Sequence, residues 1–262
     1  MIKKLLFIAL IVCPLLVLGQ KSWKETQRFD VEEAKQGIAV DAHHFYVINN
    51  ASIVKYTKKQ GEQVAVWQDT TGLVHHLNSG IILNGKLYCT LSNYPQAPMA
   101  SSIEIFDPET LQHTGSHSFG IEIGSATWID RYDGYWYVAF AHYTGRGSET
   151  PKDNRWTQLV KYTADWQRVG AWIFPPELIK RFGDRSNSGG FITDEGSLYI
   201  TGHDNPEVYQ LDFPKMGYTL QWTDTFTAPI EGQGIASDPE DPHSVYGISR
   251  QHNQVIKLKI TR

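Results

Sequence analysis

Read as a string of apolar and polar positions, the chain repeats one unit five times. Each unit opens on a glycine or another small residue and a short apolar run that ends in Asp or Asn. A turn follows, then a second apolar run with an aromatic centre, and the pair reads as a β-hairpin. The five pairs are Gly37–Asp41 with Phe45–Val47, Gly80–Asn84 with Leu87–Cys89, Ala126–Asp130 with Trp136–Val138, Gly190–Asp194 with Leu198–Ile200, and Gly234–Asp238 with Val245–Gly247. A tyrosine falls at the same place in all of them, as Tyr46, Tyr88, Tyr137, Tyr199 and Tyr246. The third copy is the most regular: Asp133-Gly134 supplies the residues a tight hairpin turn needs, and the strand it feeds stops at His142-Tyr143.

A third alternating strand follows each hairpin, at Ile53–Tyr56, Ile103–Phe106, Leu159–Tyr162, Val208–Leu211 and Val255–Leu258. Four of these lead into a fourth strand, around Val64–Trp67, Thr114–Phe119, Arg168–Phe174 and Thr219–Phe226. The fifth unit has no chain left for one, but an unclaimed strand stands at the other end of the sequence, Lys24–Val31. Four strands per unit at a period of about 40 to 50 residues predict an all-β, five-bladed β-propeller whose last blade is completed by the N-terminal strand. Closing the circle that way removes the unpaired edges an open array would expose. A two-sheet sandwich would also show many short strands, but it does not predict five matching tyrosines. Between blades three and four, Pro175–Phe182 reads as a helical turn with proline at its start. Thr144–Trp156 reads as the one long loop, of the kind that carries function in compact folds.

Residues 1–19 stand apart from this pattern. Lys3-Lys4, the apolar run Leu5–Leu18 and the small residue Gly19 make a secretory leader, too short and too close to the terminus for a membrane anchor. Cys13 follows Ile11-Val12 rather than the small residues a lipidation site requires. The expected mature protein is one propeller domain, 20–262, exported to a periplasm or beyond. It keeps a single cysteine, Cys89, so no intramolecular disulfide can form, and its place inside a strand predicts burial. A formal charge of −4 and the lack of any basic run argue against nucleic acid or an anionic membrane as partner, and a monomer is expected. Eight Trp and thirteen Tyr add a heavy aromatic load, whose exposed members would suit the faces of sugars.

In a propeller, the loops entering each innermost strand and those leaving each second strand gather on one face, around the mouth of the central channel. The sequence puts His76, Asn78, Asn187, Glu231 and Gln233 on the first kind of loop. It puts Asn93, His142, Tyr143, His203, Asp204 and Arg250 on the second, with Arg146 on the long loop beyond Tyr143. No nucleophile elbow, zincin, P-loop or Rossmann signature is present. The mouth instead offers His and Tyr for moving protons, Arg for a carboxylate and amides for hydroxyls. That inventory suits proton abstraction next to a carboxylate, and hence β-elimination from a uronic acid in polysaccharide degradation, as a lyase or dehydratase. On this reading His142, Tyr143 and His203 serve as acid and base and Arg250 holds the carboxylate. His76, Asn78, Asn93, Arg146, Asn187 and Gln233 would contact an oligosaccharide or other small ligand. A non-catalytic binding propeller would use the same face without turnover.

The repeated QGIAVD and GQGIASD segments, at 36–41 and 232–238, resemble those of the NHL and SMP-30/gluconolactonase-like propellers. The His142-Tyr143 pair also resembles the His and Tyr that some propeller-fold polysaccharide lyases use at the mouth. The lactonase-like resemblance implies a divalent metal such as calcium held by Glu, Asn and Asp, parts that Glu231, Asn187 and Asp204 could play in a metal-dependent lactonase. Members of that family carry six blades against the five counted in this chain. Fold alone does not choose between these activities.

Overall fold

A computed structural model describes residues 21–121 and 123–261; the expected leader, at 1–19, lies outside them. Five four-stranded antiparallel sheets stand in a ring. Blade one is β2 (Gly37–Val40), β3 (His44–Asn49), β4 (Ser52–Thr57) and β5 (Gln63–Gln68). Blade two is β6 (Leu77–Leu83), β7 (Lys86–Ser92), β8 (Ala100–Phe106) and β9 (His113–Ile121), and blade three is β10 (Ser125–Tyr132), β11 (Tyr135–Ala141), β12 (Gln158–Tyr162) and β13 (Arg168–Ile173). Blade four is β14 (Gly189–Ile192), β15 (Leu198–Thr201), β16 (Glu207–Asp212) and β17 (Gln221–Thr227). Blade five is β18 (Ile235–Asp238), β19 (Asp241–Ser249) and β20 (Gln254–Thr261), and its outer strand is β1 (Ser22–Asp30), paired antiparallel to β20 from Ser22 with Thr261 to Asp30 with Gln254. The five-bladed reading and its closure by the N-terminal strand are what the structure has. A six-residue helix, α1 (Pro176–Arg181), follows Pro175, with Glu177 in its first turn and Lys180 and Arg181 in its last, as the helix dipole favours.

Local chemistry explains the hairpins. Asn84-Gly85 and Asp133-Gly134 both turn with positive φ at the two central residues (48° and 70°; 47° and 76°), the geometry whose twist matches the flanking strands. Burial follows position in the blade. β2 and β14 are buried at every residue, because a blade lies on each side of them, while β5 on the rim alternates between exposed and half-buried side chains.

The five repeated tyrosines explain the ring. Each reaches from its own blade to the next. Tyr46 shares a core with Leu87 and Phe106 of blade two and donates to the Pro108 carbonyl at 3.3 Å. Tyr88 packs on Trp136 of blade three (4.9 Å between ring centroids), and Tyr137 on Phe213 just past β16 of blade four (5.5 Å). Tyr199 packs on Trp23 of β1 (5.2 Å), and Tyr246 on Phe45 of blade one (5.9 Å). The repeat is thus a set of inter-blade anchors, and burying rings of this size stabilises by roughly 1.5–3 kcal/mol each.

At the centre the inner strands come together at main-chain distance. A Cβ on Gly37 would lie 1.9 Å from the Asn78 carbonyl oxygen, so only glycine lets β2 approach the start of β6 this closely. The channel that remains is a cavity of about 40 Å³ touched by all five inner strands, with Asp130 and Ser237 among the residues that line it.

Candidate functional site

The loops at the expected mouth form a pocket of about 390 Å³ lined by Lys35, His203, Asp204, Glu231, Arg250 and Gln251. His203 and Asp204 follow β15, Arg250 and Gln251 follow β19, Glu231 precedes β18 and Lys35 precedes β2. Blades four, five and one therefore build it jointly. Nη1 of Arg250 donates to Nε2 of His203 at 3.3 Å, and Nδ1 of His203 lies 2.5 Å from Oδ1 of Asp204. A neutral ring with its proton on Nδ1 satisfies both contacts. Burial holds the His203 pKa below the ordinary histidine value. The Asp204 carboxylate pulls the other way, and Arg185 and Arg250 add to the depression.

Glu231 faces this pair from blade five. Its carboxylate accepts from Ser249 Oγ at 2.9 and 3.2 Å, with Nδ1 of His252 3.4 Å away. Its place depends on the next residue. Gly232 has φ +47°, and a Cβ there would sit 2.4 Å from the main-chain carbon of His203. Lys35 bonds the Asn253 side chain and, at 3.4 Å, the Arg250 carbonyl.

His76 stands half-buried on the same face, held by Asn50 at 2.8 Å. Burial brings its pKa down to about 4, with the positive charges of Arg250 and Arg146 contributing. Its ring leans on Tyr94 (5.0 Å), which leans on Tyr143 (4.7 Å).

Other residues singled out by the sequence are placed elsewhere. His142 is 1% exposed: its N–H donates to Thr157 Oγ1 at 3.2 Å, its Nε2 faces the Ile123 carbonyl at 3.2 Å, and it does not line the pocket. Tyr143 is buried beside Met99 and Ala141, and burial raises its pKa well above the ordinary phenol range. Asn78 donates across blades to the Ala126 carbonyl at 2.8 Å. Asn93 closes its own loop, donating to the Pro98 carbonyl at 3.0 Å and accepting from the Ala100 N–H at 2.8 Å. Asn187 is fully engaged: Oδ1 accepts from the indole of Trp128 at 2.5 Å and Nδ2 donates to the Gly189 and Thr201 carbonyls at 2.9 and 2.8 Å. Gln233 is buried, and its carbonyl accepts from Thr201 Oγ1 at 2.7 Å. Arg146 is exposed on the long loop, where its carbonyl accepts from Tyr94 Oη at 3.5 Å.

Of the three donors expected for a lactonase-type metal, Asp204 and Glu231 line the pocket and Asn187 does not. The Asn187 oxygen is taken by Trp128, while Asp204 and Glu231 are engaged by His203 and Ser249. Among the described residues no group of three or more His, Cys, Asp or Glu is arranged to hold a metal ion.

Lys35 and Gln251 escaped the sequence reading as site residues. Lys35 was within reach, because laying QGIAVD over QGIASD sets it opposite Gly232, the residue that shapes the same pocket from blade five.

No protein-family model matches the chain, and no curated protein matches it in sequence. Solved structures do resemble it in fold. They include the luciferin-regenerating enzyme (TM-score 0.51, 10% identity, 93% of this chain and 96% of that one). Virginiamycin B lyase from Staphylococcus aureus gives TM-score 0.50 and 9% identity, over 92% and 100% of the two chains. A gluconolactonase from Xanthomonas campestris gives 0.51 and 12%, over 86% and 71%. The resemblance to gluconolactonase-like and lyase propellers therefore holds at the level of the fold. Among the described residues, no helix is long and apolar enough to cross a membrane.

Proposed function

We propose that the mouth pocket binds a carboxylate-bearing sugar and that His203 acts on it as a general base, making the chain an exported lyase or dehydratase for uronic-acid-type substrates. The observation that carries this reading is the Asp204–His203–Arg250 chain on the pocket wall. A guanidinium is the natural partner of a carboxylate, and its fork leaves donors for the ligand beyond the one given to His203. Once the ligand engages Arg250, the lone pair on Nε2 is released toward the carbon next to the carboxylate.

The reaction is a β-elimination. The C–H bond next to the carboxylate breaks and its proton goes to Nε2 of His203. The electron pair forms a C=C bond to the neighbouring carbon, and the C–O bond on that carbon breaks. The departing oxygen takes the proton back from the imidazolium. Arg250 stabilises the negative charge that develops on the carboxylate along the way, and Asp204 steadies the ring and favours its charged form. His142 and Tyr143 have no part in this scheme, since both are buried away from the pocket.

The test is incubation with uronate oligosaccharides while ultraviolet absorbance is followed. A conjugated product that forms with the wild type and is lost in His203→Gln supports the reading. Binding without any absorbance change would leave a non-catalytic binding propeller in its place.

A further inference from the structure

Lys35 is a cation of the pocket that the elimination scheme leaves unused. It stands half-buried on the pocket wall, on the connection from β1 to β2 that closes the ring. Its segment is pinned to blade five. Val31 and Ala34 are buried, the Val31 N–H donates to the Asn253 carbonyl at 2.8 Å, and the Gln36 carbonyl accepts from the Gly234 N–H at 2.8 Å. The ammonium is fixed as well. It donates to the Asn253 side-chain oxygen and, at 3.4 Å, to the Arg250 carbonyl, both neutral acceptors on the loop after β19. An ammonium carries three N–H donors, and among the described residues Lys35 has no further acceptor, which leaves one donor for the cavity it lines. The charge balance of the pocket depends on it. Asp204 and Glu231 place two carboxylates on the walls, against which Arg250 alone would leave the pocket negative and repel a uronate. The reaction sharpens the need: as the C–H bond beside the carboxylate breaks, its electron pair spreads onto oxygens that already carry a negative charge.

We propose that Lys35 is the second cation of the carboxylate site: its remaining N–H bonds the substrate carboxylate beside Arg250 and offsets the charge that group gains during proton abstraction. The inference rests on the reading of the pocket as a uronate lyase site and adds a substrate-contacting residue to it. The proton still goes to Nε2 of His203, and the electron pair passes through the carboxylate system into the C=C bond as the C–O bond breaks. A compact ammonium already held by two acceptors suits the task, because little side-chain freedom is left to lose when the substrate arrives.

Kinetics on a uronate oligosaccharide, read by the absorbance of the conjugated product, test this with Lys35→Gln, Lys35→Arg and Asn253→Gly, each checked by thermal melting. Lys35→Gln removes the charge and should lower kcat by about a hundredfold while KM rises less than about fivefold, since the charge it offsets is greatest in the transition state. Lys35→Arg keeps the charge and should recover about tenfold of that loss. Asn253 has φ 56°, so Asn253→Gly keeps the turn while releasing the ammonium from its tether, and should change kcat by less than about threefold. An equal fall in Asn253→Gly and Lys35→Gln would make Lys35 a tether of the Arg250 loop and overturn the proposal. So would a kcat within about twofold of wild type in Lys35→Gln. Calorimetry with two small acids gives a readout without turnover. Tartronate, a dianion, should bind the wild type about tenfold more tightly than glycolate, its monoanionic counterpart, and the preference should fall to near one in Lys35→Gln. Equal binding of the two acids by the wild type, or a preference unchanged in Lys35→Gln, overturns the role of Lys35 and leaves Arg250 as the carboxylate site. Absence of any conjugated product from the wild type overturns the lyase reading and this proposal with it.

Discussion

Nε2 of His203 sits 3.3 Å from a guanidinium nitrogen of Arg250, and the two residues leave the ends of second strands on neighbouring blades. The group that would take a proton and the group that would hold a carboxylate are therefore set by the packing of blade four on blade five. The contact also has a titration signature. Burial first, and then the charges of Arg185 and Arg250, keep His203 neutral to lower pH than an ordinary histidine. Elimination needs the neutral ring, so kcat/KM should rise with pH through an apparent pKa below the usual value of about 6.5. Arg250→Gln should move that acid limb to higher pH and lower the plateau by about ten- to a hundredfold. An acid limb unmoved by the substitution would show that Arg250 does not act on His203.

Gly232 sets the distance between Glu231 and His203. Gly232→Ala should cost about 1–2 kcal/mol for the left-handed backbone alone, and more for driving a methyl into the His203 main chain. Gly217→Ala is the control, because Gly217 has φ +88° and open space around it. Denaturant unfolding should give a clearly larger loss for the first, accompanied by weaker uronate binding. Equal losses would mean that the backbone conformation, and not the contact with His203, is what requires glycine.

Asn187 spends its side-chain amide within the ring, on Trp128, Gly189 and Thr201. Removing its amide in Asn187→Leu leaves the buried Trp128 indole N–H without its acceptor and takes a donor from the Gly189 and Thr201 carbonyls, which should destabilise by about 2–4 kcal/mol. Uronate affinity measured well below the melting temperature should stay within about twofold of wild type. A selective loss of affinity with full stability would return Asn187 to the binding site.

Asp130 lines the central cavity with one carboxylate oxygen accepting from Ile192 N–H and the other from Arg131 N–H, both at 2.6 Å. Burial pushes its pKa up to about 7, with the charge of Asp194 adding to the effect and the two N–H donors opposing it. A folded-state value raised above the unfolded one contributes stability that is complete at pH below about 4 and is lost as pH rises through about 7. Asp130→Ala should thus cost more stability at pH 5 than at pH 8, as urea midpoints at the two values would report. A cost that grows with pH would mean that the native carboxyl is ionised throughout.

The blades were legible because their signals are local. Alternation, Asp133-Gly134 and the spaced tyrosines each act within a few residues, and the ring order followed from chain order. The mouth was legible in outline for the same reason, so His203, Asp204, Glu231 and Arg250 were expected on one face and share one pocket. Orientation past a strand end was not legible. His142 leaves the most regular hairpin, yet Thr157 captures its N–H from across the long loop and the ring turns toward Ile123. Nothing in the local pattern distinguishes that from His203, which leaves an equivalent strand and stays open to the pocket.

Titration of wild type and Arg250→Gln with galacturonic acid, alongside galactose as the uncharged sugar, separates a carboxylate site built on Arg250 from a general sugar surface. Saturable binding of the acid to the wild type is expected, with weak or no binding of galactose and a loss of acid affinity of at least about tenfold in Arg250→Gln. Equal affinity of the two proteins for the acid, or of the wild type for acid and neutral sugar, would contradict it.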